Sequence, residues 1–242
     1  MRYISRIDIK NNFVIKGIQL EGLRKIGDPL KIANNYYKQG IDEIFFNDCV
    51  ASLYGRNTIF KTIENAAKNI FVPLTICGGI KSLNDIEQSL KVGADKVAIN
   101  SHATENPSFI KIASKYFGSS TIVSSVEAKL ISKNRWNVFK YNGREDTNID
   151  LFYWLSKVQD LGCGEIFLTS IDRDGTLKGF DLNLIEKIKN LIKVPIIISG
   201  GCGNYEHLKK IKDFKNLDVA LGSSLHYNKI NIKKIKKWNL FV

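Results

Sequence analysis

The chain has 242 residues, of which 44% are hydrophobic and 25% charged, and its formal net charge is +12. That length supports one large domain or two small ones, with a core that needs no disulfide or metal staple. No apolar run reaches the ~18 residues of a membrane span, and MRYISRIDIK lacks the apolar centre of a secretory signal, so a cytoplasmic protein without membrane contact is expected.

Short β-branched runs alternate with longer amphipathic stretches. The first strand is predicted at Tyr3–Ile9, followed by a long connection, Asn11–Asp28, carrying Gly17, Gly22 and Gly27, and then a helix near 30–39. Strand Glu43–Asn47 precedes a helix near 57–69, Leu74–Ile76 a helix near 82–92, and Lys96–Ile99 a helix near 106–116. Strand Thr121–Val126 is followed by Trp136–Asn142, which reads as a hairpin strand, and by a helix near 149–161. Glu165–Thr169, Ile196–Ser199 and Val219–Leu221 then alternate with helices near 182–192, 204–213 and 229–237. Eight strands alternating with eight helices argue for parallel βα units. Long connections at the carboxyl ends of strands commonly cover or build a site.

The chain also repeats itself. Gly40–Phe46 and Gly162–Leu168, Val72–Gly79 and Val194–Gly201, and Val97–Ser101 and Val219–Ser223 match at an offset of 122 residues, and Asp8-Ile9-Lys10 matches Glu127-Ala128-Lys129 at 119. Ordered matches of this kind point to duplication. Two equivalent halves, about 1–119 and 120–242, fit a closed (β/α)8 TIM barrel forming a single α/β domain; an open sheet would have one switch point.

Each half carries one carboxylate and one Gly-rich loop. Asp8 and Glu127 end otherwise apolar strands, where burying a charge is costly unless it is paired or used. A matched pair facing one cavity suits general acid–base catalysis. The structural alternative is that each pairs with the lysine two positions on, Lys10 or Lys129, since i and i+2 share a face of a strand. Gly78-Gly79 and Gly200-Gly201 follow the third and seventh strands, and 21 residues later the next strands end in Asn100-Ser101 and Gly222-Ser223-Ser224. Glycine lets backbone N–H groups approach an anion closely, so two phosphate sites and an elongated bisphosphate ligand are expected. Asp48, Asp172 and Asp174 lie in loops; DRDGT is good turn chemistry, and Asp174 is equally suited to a substrate rim. At the opposite strand ends, Arg2, Glu43, Lys96 and Glu165 alternate in sign and suggest a salt-bridge ring closing the barrel bottom.

Cys49, Cys77, Cys163 and Cys202 fit neither a zinc site nor a disulfide framework and read as buried free thiols. His102, His207 and His226 form no ligand pattern, so no metal or cofactor is expected. The lysines are spread over helix-like segments such as Lys61, Lys68, Lys81, Lys91, Lys187 and Lys189; only Lys229–Lys237 is concentrated. This favours solvated faces and attraction of anionic substrates over nucleic-acid binding.

The motifs RIDIKNNFVIKG, GDP, DEIFFND, CGGI, GADKVAINS, ENPS, LTSIDRDGTLKGFD and PIIISGGCGN together resemble the cyclase (HisF) family of imidazole glycerol phosphate synthase over nearly the whole chain. The resemblance implies a duplicated (β/α)8 barrel working as a heterodimer with a HisH-like glutaminase subunit docked at the barrel bottom. Ammonia from that partner would reach the barrel top and attack a ribulosyl-formimino aminoimidazole carboxamide ribonucleotide bearing a phosphate at each end. Imidazole glycerol phosphate and an aminoimidazole carboxamide ribotide would result, as in histidine biosynthesis. Asp8 matches the first catalytic aspartate of the family and Lys16 its lysine near the substrate. Gly79, Asn100 and Ser101 match one phosphate site; Asp174, Gly175, Gly201, Ser223 and Ser224 match the other. Arg2, Glu43, Lys96 and Glu165 match the charged gate of the ammonia tunnel, and Asp95 a position near the glutaminase.

The sequence departs from the family at several points. Glu127 stands where the second catalytic aspartate is expected, Cys77 replaces the first glycine of a GGG run, Ser5-Arg6 replaces Pro-Cys, and Asn47 replaces an apolar residue before Asp48. These departures resemble a second group, paralogues that pass ammonia from a glutaminase to a sugar amidotransferase in surface-glycan synthesis. The retained carboxylate and both cradles favour the cyclase.

Overall fold

The computed structural model describes residues 1–51 and 59–238. Among these, eight parallel strands close a barrel: β1 (Tyr3–Lys10), β4 (Glu43–Asp48), β5 (Leu74–Cys77), β6 (Lys96–Ile99), β7 (Ile122–Ser132), β10 (Glu165–Ser170), β11 (Ile196–Ser199) and β12 (Leu217–Leu221). Pairing of β12 with β1 and of β7 with β10 completes the circle. The expected (β/α)8 architecture is therefore present, and strand boundaries fall within two residues of those read from the sequence, except that β7 runs to Ser132, six residues past the expected end at Val126.

Helices α1 (Pro29–Lys38), α2 (Phe60–Ala67), α3 (Leu83–Lys91), α5 (Ser108–Phe117), α6 (Leu151–Asp160), α7 (Leu182–Ile188), α8 (Tyr205–Lys209) and α10 (Ile232–Trp238) surround it. Residues 57–58 of the helix expected near 57–69 lie outside the described residues. The helices begin where the side-chain chemistry dictates. Asp28, Ser82, Asp150, Asp181 and Asn204 each accept a hydrogen bond from the backbone N–H three residues on, satisfying a donor the helix leaves free. α7 and α8 stop short of their expected ends at 192 and 213. Two short helices were too brief to show a period: α4 (Ser101–Glu105) and α9 (Ser223–His226).

Strand parity sorts side chains into two cores. Ile7, Ile44, Phe46, Ile76, Val97, Val126, Leu168 and Val219 point outward and pack with the helices in the main core. Ile4, Phe45, Cys77, Ala98, Val123, Phe167, Ile197 and Ala220 form a separate cluster in the barrel interior. The Phe45 and Phe167 rings stack there with centroids 3.9 Å apart. Glu43 and Glu165 lie below this apolar layer and Asn47 and Thr169 above it, two residues away in each strand. The interior thus runs from charged to apolar to polar before it reaches the carboxylates at the top.

Two excursions leave the barrel top. After β1 the chain forms an antiparallel hairpin of β2 (Phe13–Ile18) and β3 (Glu21–Gly27), which resolves the long connection at Asn11–Asp28. After β7 come β8 (Arg135–Lys140) and β9 (Glu145–Asp150). β8 covers most of the strand expected at Trp136–Asn142; Tyr141 and Asn142 instead turn, with φ of 54° and 59°. β9 was not foreseen, because EDTNID is polar and has no apolar alternation. The excursions meet over the barrel mouth, where Leu20, Phe139 and Ile171 form their own buried cluster.

Candidate active site

Asp8 and Glu127 both lie where their strands reach the barrel mouth and both are buried, yet their surroundings differ. Asp8 Oδ1 accepts hydrogen bonds from Arg6 Nε at 2.8 Å and Asn47 Nδ2 at 2.9 Å, and its Oδ2 accepts from Lys16 Nζ at 3.1 Å. Burial opposes its ionisation, but the charges of Arg6 and Lys16 outweigh burial and hold the carboxyl well below the usual carboxylate range. Glu127 Oε2 accepts from the Gly143 N–H at 2.9 Å, donated by the second excursion. Burial pushes this carboxyl up to about 7; the Arg6 charge, the Gly143 N–H and the Asn100 side chain only partly offset it. Neither carboxylate pairs with the lysine two positions on. Lys10 and Lys129 are exposed, and Lys129 lies over the Phe139 ring.

Lys16 is 2% exposed and reaches into the mouth from β2. Its ammonium contacts Asp174 Oδ2 at 2.8 Å as well as Asp8. The first excursion is held over the loop after β10 by the Gln19 N–H, which donates to the Asp174 carbonyl at 2.8 Å. Gly175 permits that approach: it has φ +72°, and an added Cβ would collide with the Gly17 carbonyl oxygen. Asp172 joins the same assembly by accepting from the Leu130 N–H at 2.8 Å. Asp48 caps its own turn, accepting from Val50 and Ala51 N–H at 3.1 and 2.9 Å.

The two Gly-rich loops share one backbone conformation. Gly78 and Gly200 have φ of 108° and 104°, and Gly79 and Gly201 have 73° and 97°. Asn100 and Gly222 adopt φ −119°, ψ −87° and φ −118°, ψ −89°, and each opens a short helix with serine. Gly79, Asn100 and Ser101 line a cavity of about 140 Å³ together with Glu127. Gly175, Gly201 and Ser223 line a crevice of about 10 Å³ together with Arg6 and Asp174. Asn100 Oδ1 and the Ser223 and Ser224 hydroxyls are buried without partners among the described residues. Buried polar atoms without partners are costly unless a ligand supplies the partner; the two hydroxyls can donate to an anion, whereas Asn100 Oδ1 only accepts.

At the other end, the four charges expected to form a ring do so. Arg2 contacts Glu43 at 2.8 Å, Glu43 contacts Lys96 at 2.8 Å, Lys96 contacts Glu165 at 2.7 Å, and Glu165 returns to Arg2. Thr75 Oγ1 also donates to Glu43 at 2.7 Å, and Asp218 gives Arg2 a further partner. Asp95 caps the start of β5, accepting from the Leu74 N–H at 2.8 Å.

The sequence reading missed Arg6 and Asn47 as members of the site, although both stood out as departures from the family pattern. Arg6 is 3% exposed and also donates to Thr169 Oγ1 at 3.0 Å and Ser199 Oγ at 3.3 Å. The four cysteines are all buried and free. Burial raises the Cys77 thiol to about 12 and the Cys49 thiol well above its ordinary value, so both stay protonated at the edge of the mouth.

A closed (β/α)8 barrel with two unlike carboxyls between matched loops defines a barrel of the enzyme type, with its polar machinery at the carboxyl ends of the strands. The chain belongs to the histidine biosynthesis protein family, whose model matches residues 2–231. It is 48% identical over 206 residues to the imidazole glycerol phosphate synthase subunit HisF of Legionella pneumophila, covering 85% of this chain and 97% of that protein. It is 42% identical over 237 residues to the HisF subunit of Bacillus cereus strain G9842 and 43% to that of strain Q1, covering 98% of this chain and 94% of each. Both the family description and these names point to histidine biosynthesis, and none of them to sugar amidation. Among the described residues, no helix is long and apolar enough to cross a membrane.

Proposed function

We propose that this chain is the cyclase subunit of imidazole glycerol phosphate synthase, a lyase working in the cytoplasm. The observation that carries the proposal is the Asp8–Glu127 pair between two loops of one backbone conformation. A substrate with a phosphate at each end spans such a mouth, one end on Gly79, Asn100 and Ser101, the other on Gly175, Gly201, Ser223 and Ser224. The matched loops also support reading residues 1–242 as one domain of two half-barrels.

The two carboxyls divide the chemistry. Addition of ammonia to the ribulosyl carbonyl and loss of water develop positive charge on nitrogen. Asp8, held as an anion by its partners, stabilises that charge. Glu127, which gains and loses its proton near neutrality, carries protons to the departing oxygen and then, as the new nitrogen closes the ring on the formimino carbon and the bond from that carbon to the aminoimidazole carboxamide ribotide breaks, from the closing ring to the amine that leaves. Lys16 links Asp8 to Asp174 and shields the pair from water. The ring of Arg2, Glu43, Lys96 and Glu165 sits where ammonia from a glutaminase subunit would enter, and the apolar layer above it admits neutral ammonia in preference to ammonium. The relatives are named as subunits, which fits a heterodimer with such a partner.

The test is turnover of the bisphosphate substrate by the purified chain with ammonium chloride at mildly alkaline pH and no glutaminase. Free ammonia bypasses the partner, so formation of imidazole glycerol phosphate is expected. A folded protein that leaves the substrate intact overturns the proposal.

A further inference from the structure

Among the described residues, Arg6 is the buried cation rooted in the barrel wall at the mouth, and the repeat supplies no counterpart: at the 119-residue offset that matches Asp8 to Glu127, its mate is Ser125. Its Nε donates to Asp8, its Nη1 reaches Thr169 and Ser199, and Nη1 lies 3.9 Å from Asp174 Oδ1. It also lines the crevice that Gly201, Gly222 and Ser223 enclose. A guanidinium keeps its charge at any working pH and presents its donors in a fixed fork. One edge of that fork therefore faces the carboxylate and another the crevice, where the Ser223 hydroxyl has no partner among the described residues.

We propose that Arg6 is a positioning residue that fixes Asp8 and supplies the inner cation of the second phosphate cradle, coupling occupancy of that cradle to the setting of Asp8. The proposal rests on the cyclase reading for its meaning in catalysis, but its physical content does not depend on turnover. Lys16 touches the same two aspartates from the excursion; Arg6 does so from the barrel wall. Asn47, on the next strand, completes the hold on Asp8. Among the described residues, the other titratable groups that bear on Asp8 are Cys49, Cys77, Glu127 and His226, and Asp174 shares Lys16 with it; none of them is hydrogen-bonded to Asp8.

The experiment compares the wild-type chain with Arg6→Gln and Arg6→Lys. Binding of inorganic phosphate is measured by calorimetry, and the Asp8 carboxyl is followed by ¹³C NMR as pH is lowered. In Arg6→Gln, one of two classes of phosphate site is expected to weaken about tenfold while the other is unchanged. The Asp8 carboxyl is expected to titrate nearer the ordinary carboxylate range. Arg6→Lys keeps the charge without the fork and should restore much of both properties; if Arg6→Gln does not fold, Arg6→Lys and Ser199→Ala, which removes a tether, carry the test with smaller shifts in the same directions. Unchanged Asp8 titration with unchanged phosphate binding overturns the proposal, as does equal weakening of both classes. Failure of the cyclase reading shows separately, as absent turnover by the wild-type chain.

Discussion

The two halves of the barrel carry the same backbone and opposite electrostatics. Asp8 is surrounded by Arg6, Lys16 and Asn47, whereas Glu127 has one backbone donor and the Asn100 side chain. Burial acts on both carboxyls in the same direction. The cations decide the outcome, driving Asp8 down while Glu127 rises to about 7. The cause is local: strand β1 places Arg6 two residues before its carboxylate, and strand β7 places Ser125 there. A duplicated scaffold thus holds two carboxyls in opposite protonation regimes, through a single interior substitution and what each excursion brings to the mouth.

The largest expected effect comes from Asp8→Asn. It removes the fixed anion and leaves Arg6 and Lys16 with Asp174 as their remaining carboxylate. Turnover with ammonium salts should fall by roughly 10³-fold or more. Breaking a buried ion pair should also cost about 3 kcal/mol of stability, read from denaturant unfolding. If activity survives within tenfold, the assignment of the anionic half is wrong.

Glu127→Gln should separate activity from stability. Its folded value, about 7, lies above the ordinary 4.5. Below the ordinary value both folded and unfolded chains hold the proton and nothing is lost. Between 4.5 and about 7 the unfolded chain ionises first, so ionisation increasingly favours unfolding, and above 7 the cost is constant. At pH 8 it is of order 3 kcal/mol, part of which the amide should recover. The variant is therefore expected to be about 1–2 kcal/mol more stable than wild type at pH 8 and no more stable at pH 4, with turnover reduced roughly 10²-fold. The wild-type pH–rate profile should bend near 7, and this bend should vanish in the variant. Asp8 has the opposite sign: its lowered value contributes stability above the ordinary carboxylate range, and this is lost as pH falls through the folded value.

Gly201→Ala probes the second cradle. Gly201 has φ +97°, and an added Cβ would collide with the Gly179 carbonyl oxygen. Gly40 has a similar φ, +90°, but nothing near its Cβ position. Gly40→Ala should cost about 1 kcal/mol from backbone strain alone, and Gly201→Ala more, with a rise of about tenfold in KM for the bisphosphate substrate. Equal effects at both positions would show that strain, and not the cradle, governs Gly201.

The architecture was legible because alternating strands and helices in two ordered copies admit few closed solutions, and the carboxylates because charge is conspicuous in apolar strands. What paired with them was not legible. Strand parity places both Arg6 and Lys10 on the face of Asp8, but does not say where the strand leaves the barrel. Inside the barrel, the neighbour toward the strand's start is trapped with the carboxylate; beyond the rim, the neighbour toward its end is solvated. Lys16, eight residues on, returns only because β2 folds back along β1. The polar strand β9 and the short helices α4 and α9 lacked any period to read.

The smallest expected effect tests that account of the rim. Lys10→Ala and Lys129→Ala each remove a lysine that shares a strand face with a site carboxylate. Both lysines are exposed, and neither bonds to the carboxylate two positions before it. An exposed charge beside a buried carboxyl is screened by solvent and contributes little. Turnover should stay within about twofold of wild type and stability within about 0.5 kcal/mol. A tenfold loss in Lys10→Ala alone would mean that Asp8 takes part of its charge balance from outside the barrel. The contrast between the halves would then rest on the excursion and rim together, with Arg6 as one contributor among several.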